Sequence, residues 1–153
     1  TSIGPNETTG DVYNRLKVLG AEILLEAIDE IENDEYTKIP QQDELATPAP
    51  KLYSDDCRID VHITAPELHN KIRGLSPFPT AWATLDGTKF NLYRSELGPY
   101  ISLAPGRLKE WKENLLIGTE EGTVNLKEVQ LAGRKKMSGI EFLNGYSDPM
   151  QID

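Results

Sequence analysis

Ala81-Trp82-Ala83-Thr84-Leu85-Asp86-Gly87-Thr88-Lys89-Phe90-Asn91-Leu92-Tyr93-Arg94-Ser95-Glu96-Leu97 is the stretch from which the fold is read. Two runs rich in apolar, aromatic and β-branched residues flank Asp86-Gly87, a pair that suits the positive φ angles of a tight hairpin turn. Strands are therefore expected at 81–85 and 89–97. Downstream, 106–111, 115–119 and 123–130 read as further short strands, with turns at 112–114 and 120–122. Strands of this length and spacing belong to a small barrel or sandwich, and a barrel leaves no unpaired edge.

The flanks of this β region are helical. Thr64 offers an N-cap with Pro66 just inside it, and Leu68, Ile72 and Leu75 form an apolar stripe on a helix expected to reach about Gly74. Ser76-Pro77-Phe78-Pro79 stops it, and residues 58–63 ahead of it alternate like a short strand. Near the end, Ser138 and Glu141 form a capping box, Phe142 and Leu143 are apolar, and Gly145 terminates the helix. The remaining residues, 146–153, read as a frayed tail.

Upstream, Thr8 or Thr9 caps an amphipathic helical stretch with apolar residues at Val12, Leu16, Leu19, Ile23, Ala27 and Ile31. Gly20 inside it costs up to about 1 kcal/mol against alanine, so a break into two helices is expected there. Residues 38–54 then lose all periodicity. Pro40, Pro48 and Pro50 make them an exposed, stiff linker.

Among 153 residues, 38% are hydrophobic and 27% charged, an ordinary globular balance, and no apolar run could span a bilayer. Thr1 to Gly10 lacks the basic and apolar regions of a secretory signal, and the single cysteine, Cys57, reads as an inert small residue in a reducing, cytoplasmic setting. Net charge is −9, of which residues 1–50 carry −8 and residues 51–153 carry −1. With no global basic field, contact with nucleic acid requires cations gathered on one face.

Few residues suggest catalysis. His62 and His69 lie on different expected elements without metal-ligand neighbours, and the pairs Asp55-Asp56 and Glu120-Glu121 fall in turns without an apolar pocket. No glycine-rich phosphate loop is present. No catalytic or metal site is expected. Arg134-Lys135-Lys136 is the dense basic cluster, with Lys127 nearby. Trp82 and Trp111 are expected in the core.

Several stretches together resemble the methionyl-tRNA formyltransferase family. Thr8-Thr9-Gly10-Asp11-Val12-Tyr13 with Leu19-Gly20-Ala21 is similar to the last helices of its catalytic domain, and Ala46-Thr47-Pro48-Ala49-Pro50-Lys51-Leu52 to its linker. Arg58-Ile59-Asp60 and Ile72-Arg73-Gly74-Leu75-Ser76-Pro77-Phe78-Pro79-Thr80-Ala81-Trp82 resemble the opening of its carboxy-terminal domain. Val129 to Met137 and Phe142-Leu143-Asn144-Gly145 resemble its final strand and closing helix. Val61 departs from the family's common tryptophan, Pro48 from its tyrosine and Thr80 from its glycine.

The resemblance implies a mainly β fold with flanking helices. Residues 1–37 would be the terminal helices of a formyltransferase domain, 38–54 a linker, and 55–153 a barrel similar to an oligonucleotide-binding fold. That barrel would hold initiator methionyl-tRNA for translation initiation while a separate domain formylates it from 10-formyltetrahydrofolate. The family's donor-binding Ser-Leu-Leu-Pro loop is not found, and its catalytic aspartate would fall before Thr1, so this fragment is expected to be inactive alone and to hold no cofactor. Lys51, Arg58, Lys71, Arg73, Lys127, Arg134, Lys135 and Lys136 are the expected tRNA contacts, although Arg73 could pair with Asp60 instead. If the leading helices are severed from the sheet they should cover, their apolar face implies dimerisation or disorder. Two other readings stay open: the carboxy-terminal domain of a sugar-nucleotide formyltransferase, and a protein-interaction module.

Overall fold

The computed structural model describes residues 1–146 and 150–152. β1 (Ala81–Leu85) and β2 (Thr88–Leu97) pair antiparallel with Leu85 opposite Thr88. Asp86 and Gly87 take φ of 48° and 74°, the left-handed pair that matches strand twist in a two-residue turn. A second hairpin joins β3 (Arg107–Trp111) to β4 (Asn114–Gly118) over Lys112 and Glu113. Neither turn residue is glycine, yet both have positive φ; the Asn114 amide steadies them by donating to Lys112 O at 2.9 Å. β5 (Thr123–Leu131) lies between the hairpins, pairing with β2 on one side and β4 on the other.

The sheet order is therefore β1-β2-β5-β4-β3, extended by β7 (Met150–Gln151) on β3, while β6 (Met137–Ser138) pairs with β5. Ile152, just after β7, bridges Leu85 of β1. This one bridge brings the two edges of the curled sheet into contact, completing a partial barrel. The tail expected to fray is therefore a structural part of the barrel: Met150 and Ile152 are buried, and the Tyr146 ring stacks on Phe142 at 4.5 Å. The part of that expectation falling on residues 147–149 and 153 lies outside the described residues.

Two helices close the ends of the core. α2 (Ala65–Leu75) starts at a capping box of Thr64 and Glu67 and buries Leu68, Ile72 and Leu75. α3 (Gly139–Leu143) starts at the expected Ser138–Glu141 box and inserts Phe142 against Phe90, with centroids 5.0 Å apart. Each fully buried side chain of this kind contributes about 1.5–3 kcal/mol relative to exposure. The strand expected at 58–63 does not form. Arg58 makes only an isolated bridge to Trp82, and the Asp60 carboxylate then accepts the His62 N–H at 2.8 Å, which bends the chain out of extension.

α1 (Thr9–Glu32) is one continuous helix, so Gly20 does not break it and residues 1–37 hold one helix instead of several. Thr8 caps it, and its first turn is bound to the barrel. Thr9 Oγ1 donates to Gly74 O at 2.6 Å, Gly10 N–H to Ser76 O at 2.9 Å, and Arg94 pairs with Asp11 at 2.9 Å. A Cβ at Gly10 would come within 2.5 Å of Pro77 Cδ, so this approach requires glycine. The preceding segment is held as well: buried His69 contacts Pro5 O and Ser95 Oγ, both at 2.9 Å, and Arg73 donates to Glu7 O. Beyond this grip α1 buries nothing, and Tyr13, Ile23, Leu24, Leu25 and Ile31 are exposed. Linker residues 38–54 are exposed throughout, with one 3-10 turn at Asp43–Leu45.

Two carboxylates at this grip titrate unusually low. The Arg15 guanidinium hydrogen-bonded to Glu7 lowers its pKa to about 2, and the Thr8 backbone N–H followed by Arg94 lowers Asp11 to about 2. Because both folded pKa values are depressed, the stability they contribute is present above the ordinary carboxylate range and lost as pH falls through about 2. We expect carbon-13 titration of Asp11 to show a midpoint near 2, and Arg94→Ala, which removes the guanidinium but leaves the Thr8 N–H, to move it part of the way towards 3.8. An unmoved midpoint would remove the Arg94 guanidinium as a cause of the depression.

Candidate nucleic-acid interface

The inward side chains Ala81, Ala83, Leu85, Phe90, Leu92, Val129 and Leu131 are buried, so strand alternation turns their neighbours outwards. Across the three strands, Trp82 stands opposite Asn91 and Asn91 opposite Gln130. Around this row the cations collect. Trp82 Nε1–H donates to Ser54 O at 2.8 Å, which fastens the end of the linker to the sheet. The Arg58 guanidinium lies 5.6 Å and the Lys89 ammonium 4.8 Å from the Trp82 ring centroid. Lys71 Nζ donates to Arg58 O at 2.6 Å from helix α2.

At the other end of the row, Tyr93 O–H donates to Gln130 Oε1 at 2.7 Å, and Gln130 Nε2–H donates to Arg134 O at 2.8 Å. The Lys136 ammonium sits 3.5 Å from the Tyr93 ring centroid. The loop carrying Arg134, Lys135 and Lys136 is thus pinned over β2 and β5, on the same outer surface as Trp82. Strands about 4.8 Å apart put the Trp82 and Gln130 positions roughly 10 Å from one another, a span over which two neighbouring phosphates of one strand can be met.

Charge on this surface is largely uncommitted. Among the described residues Arg58, Lys89, Arg134 and Lys135 have no carboxylate partner. Lys136 lies 3.8 Å from Glu128, both half-exposed, a pair worth at most about 1 kcal/mol and open to competition from phosphate.

Of the eight cations expected from the sequence, the fold brings Arg58, Lys71, Arg134, Lys135 and Lys136 together. Lys51 joins at the rim, its ammonium over Tyr53 beside Ser54. Two lie elsewhere. Arg73 turns towards the amino-terminal segment, bonding Asn70 Oδ1 and Glu7 O instead of Asp60. Lys127 pairs with Glu96 at 3.6 Å, near the far end of β2.

Sequence reasoning placed Trp82 and Trp111 in the core; both are only half-buried, and each carries two cations near its ring. It passed over Lys89, Asn91, Tyr93 and Gln130. A signal was available: a two-residue turn at Asp86-Gly87 fixes Asn91 opposite Trp82 and Lys89 opposite Thr84.

The histidines take no part in this surface. His69 is buried with both ring nitrogens occupied, and His62 is exposed, 3.4 Å from Glu120. Cys57 is buried and donates weakly to Tyr53 O. Among the described residues no cluster of three His, Cys, Asp or Glu side chains could hold a metal ion, and no helix is long and apolar enough to cross a membrane.

A small partial barrel with a capped end, a basic and aromatic outer face, and a helix gripped at its base defines a class by its sequence as well as its shape. The family model for the formyl transferase C-terminal domain matches residues 51–147, and the chain belongs to that family. It is similar to the methionyl-tRNA formyltransferase of Porphyromonas gingivalis, 37% identical over 95% of this chain and 49% of that protein. It is also similar to that of Thermobifida fusca, 38% identical over 94% of this chain and 46% of that protein. The chain thus spans about half the length of these relatives. Among solved structures, HypX from Aquifex aeolicus shares the fold with a TM-score of 0.73, at 18% identity, over 94% of this chain and 27% of that one.

Proposed function

We propose that this chain is the tRNA-holding part of a methionyl-tRNA formyltransferase acting in cytoplasmic translation initiation. Its outer surface grips the phosphate backbone of initiator methionyl-tRNA, while another part of the enzyme transfers the formyl group from 10-formyltetrahydrofolate. The observation that carries this reading is the Trp82–Asn91–Gln130 row flanked by Arg58 and Lys89 at one end and Lys136 at the other. Cations fixed over rings and amides meet phosphates without first losing much side-chain freedom, and such contacts set register without reading sequence. The names of the relatives supply the substrate. In this reading the formyl transfer belongs to the other part of the enzyme, and this chain by itself is read as inactive.

Titrating the chain with initiator tRNA at low and moderate salt tests the reading. The logarithm of the binding constant should fall linearly with the logarithm of salt, with a slope of roughly −3 to −4 for four or five contacts. A salt-insensitive interaction would point instead to a protein-interaction module, and no interaction would leave the sugar-nucleotide reading.

A further inference from the structure

Phe78 is 84% exposed, yet the loop that carries it is held on both sides. Thr80 N–H donates to Leu75 O at 2.8 Å, Thr80 Oγ1 donates to Pro77 O at 2.5 Å, and Ser76 O accepts from Gly10. Pro77 and Pro79 fix φ on either side of the phenylalanine. Thr80 adopts φ of 80°, a left-handed conformation that a β-branched residue rarely takes and that the surrounding bonds impose. A large apolar ring is thereby kept in water on a pre-ordered support, forgoing the burial such rings ordinarily gain.

Its surroundings identify an occupant. Pro77 walls a recess of about 300 Å³ in which Arg94 and Lys136 are balanced by Asp11 and Glu128. On its other side the loop runs into β1, where Ala81 is opposite Leu92, so it ends beside Tyr93 and the cationic surface. The other rings there are covered, Trp82 by Arg58 and Lys89 and Tyr93 by Lys136. Among the described residues Phe78 has no ring or cation against it. Tyr100, 89% exposed, is the other open ring among the described residues, but its recess holds Glu120 and Glu121 and no cation to offset them. Phe78 lies three residues before Ala81, whose partner Leu92 adjoins Tyr93, whereas Tyr100 lies three residues beyond Leu97 at the far end of β2.

We infer that Phe78 is a stacking platform for an unpaired nucleobase at the end of the RNA held on the adjoining surface. This deepens the proposed function and rests on it. Backbone contacts are indifferent to whether a terminal base is paired, whereas an open aromatic ring rewards a base free to leave its stack. Phe78 would thus supply preference for RNA ends that carry a free base.

Two RNA hairpins of one stem sequence, one blunt and one with an unpaired 2-aminopurine at the 3′ end, test the assignment with the chain and its Phe78→Ala and Phe78→Trp variants. The unaltered chain should prefer the tailed RNA and quench its fluorescence. Phe78→Ala should lose roughly tenfold in affinity for the tailed RNA alone, with an unchanged salt slope, and Phe78→Trp should keep the preference. Equal losses on both RNAs, or no loss while salt-dependent binding persists, would overturn the stacking role and spare the backbone grip. Absence of binding to either RNA would overturn both.

Discussion

Replacing Phe142 by alanine is expected to destabilise the barrel by about 3–5 kcal/mol, the cost of deleting a fully buried aromatic side chain where neighbours collapse poorly. Phe142 is 1% exposed, lies tilted against Phe90 and is stacked by Tyr146. The helix that carries it has little room to follow the void. A Cβ at Gly139, the first residue of α3, would lie 2.3 Å from Leu126 O, so α3 already rests on the β5 backbone. Total stability of a domain this size is about 5–15 kcal/mol, so the loss is a large fraction of it. Chemical denaturation should show a lower midpoint at unchanged slope. Ile140, on the same helix but 48% exposed, is the control: Ile140→Ala should change stability by no more than about 0.5 kcal/mol. Equal effects from the two substitutions would mean that α3 is not seated as described.

Removal of Lys89 and Lys136 together should flatten the salt dependence of tRNA binding by about two units and weaken binding roughly a hundredfold at low salt. Both side chains are exposed and lie against aromatic faces, so their truncation leaves the core intact. Far-ultraviolet circular dichroism should therefore be unchanged. Arg134→Ala with Lys135→Ala should add a further loss of slope, because neither has a competing carboxylate among the described residues. Lys127→Ala serves as the counterpart, since Lys127 faces Glu96 at the opposite end of β2. A slope altered as much by Lys127→Ala as by Lys89→Ala would show that bulk charge, and not this surface, holds the RNA.

The barrel was legible in the sequence where local chemistry and tertiary need agree. Asp86-Gly87, the Ser138–Glu141 box and the Thr64 cap each specify their element through backbone geometry or a hydrogen bond within four residues. What escaped was non-local. Nothing in residues 146–153 signals a strand, because Met150 and Gln151 become one only by pairing with Arg107 and Leu108 across the barrel. The 58–63 stretch alternates correctly, yet a single Asp60 side chain diverts it. For the surface, counting cations found the Arg134 to Lys136 run but could not separate it from Lys127, whose position depends on how far along β5 it lies. Lys89 and Tyr93 went unnoticed because their significance comes from facing Trp82 and Lys136, and only strand register reveals that. Trp82 was assigned to the core by its bulk; it does pack against the core's edge, but its place in the alternation leaves it half-buried with cations on its ring.

The grip on α1 has a mechanical consequence. At 1.5 Å per residue, a helix of 24 residues is about 36 Å long, and its bonds to the barrel and to the segment before it fall within its first two turns. It therefore behaves as a lever whose fulcrum is Gly10 against Pro77. By the same length, tilting the base by about 5° swings the far end by roughly 3 Å. The aim of whatever that far end bears is thus set by the side chains at the pivot, the Thr9 hydroxyl and the Asp11–Arg94 and Glu7–Arg15 pairs.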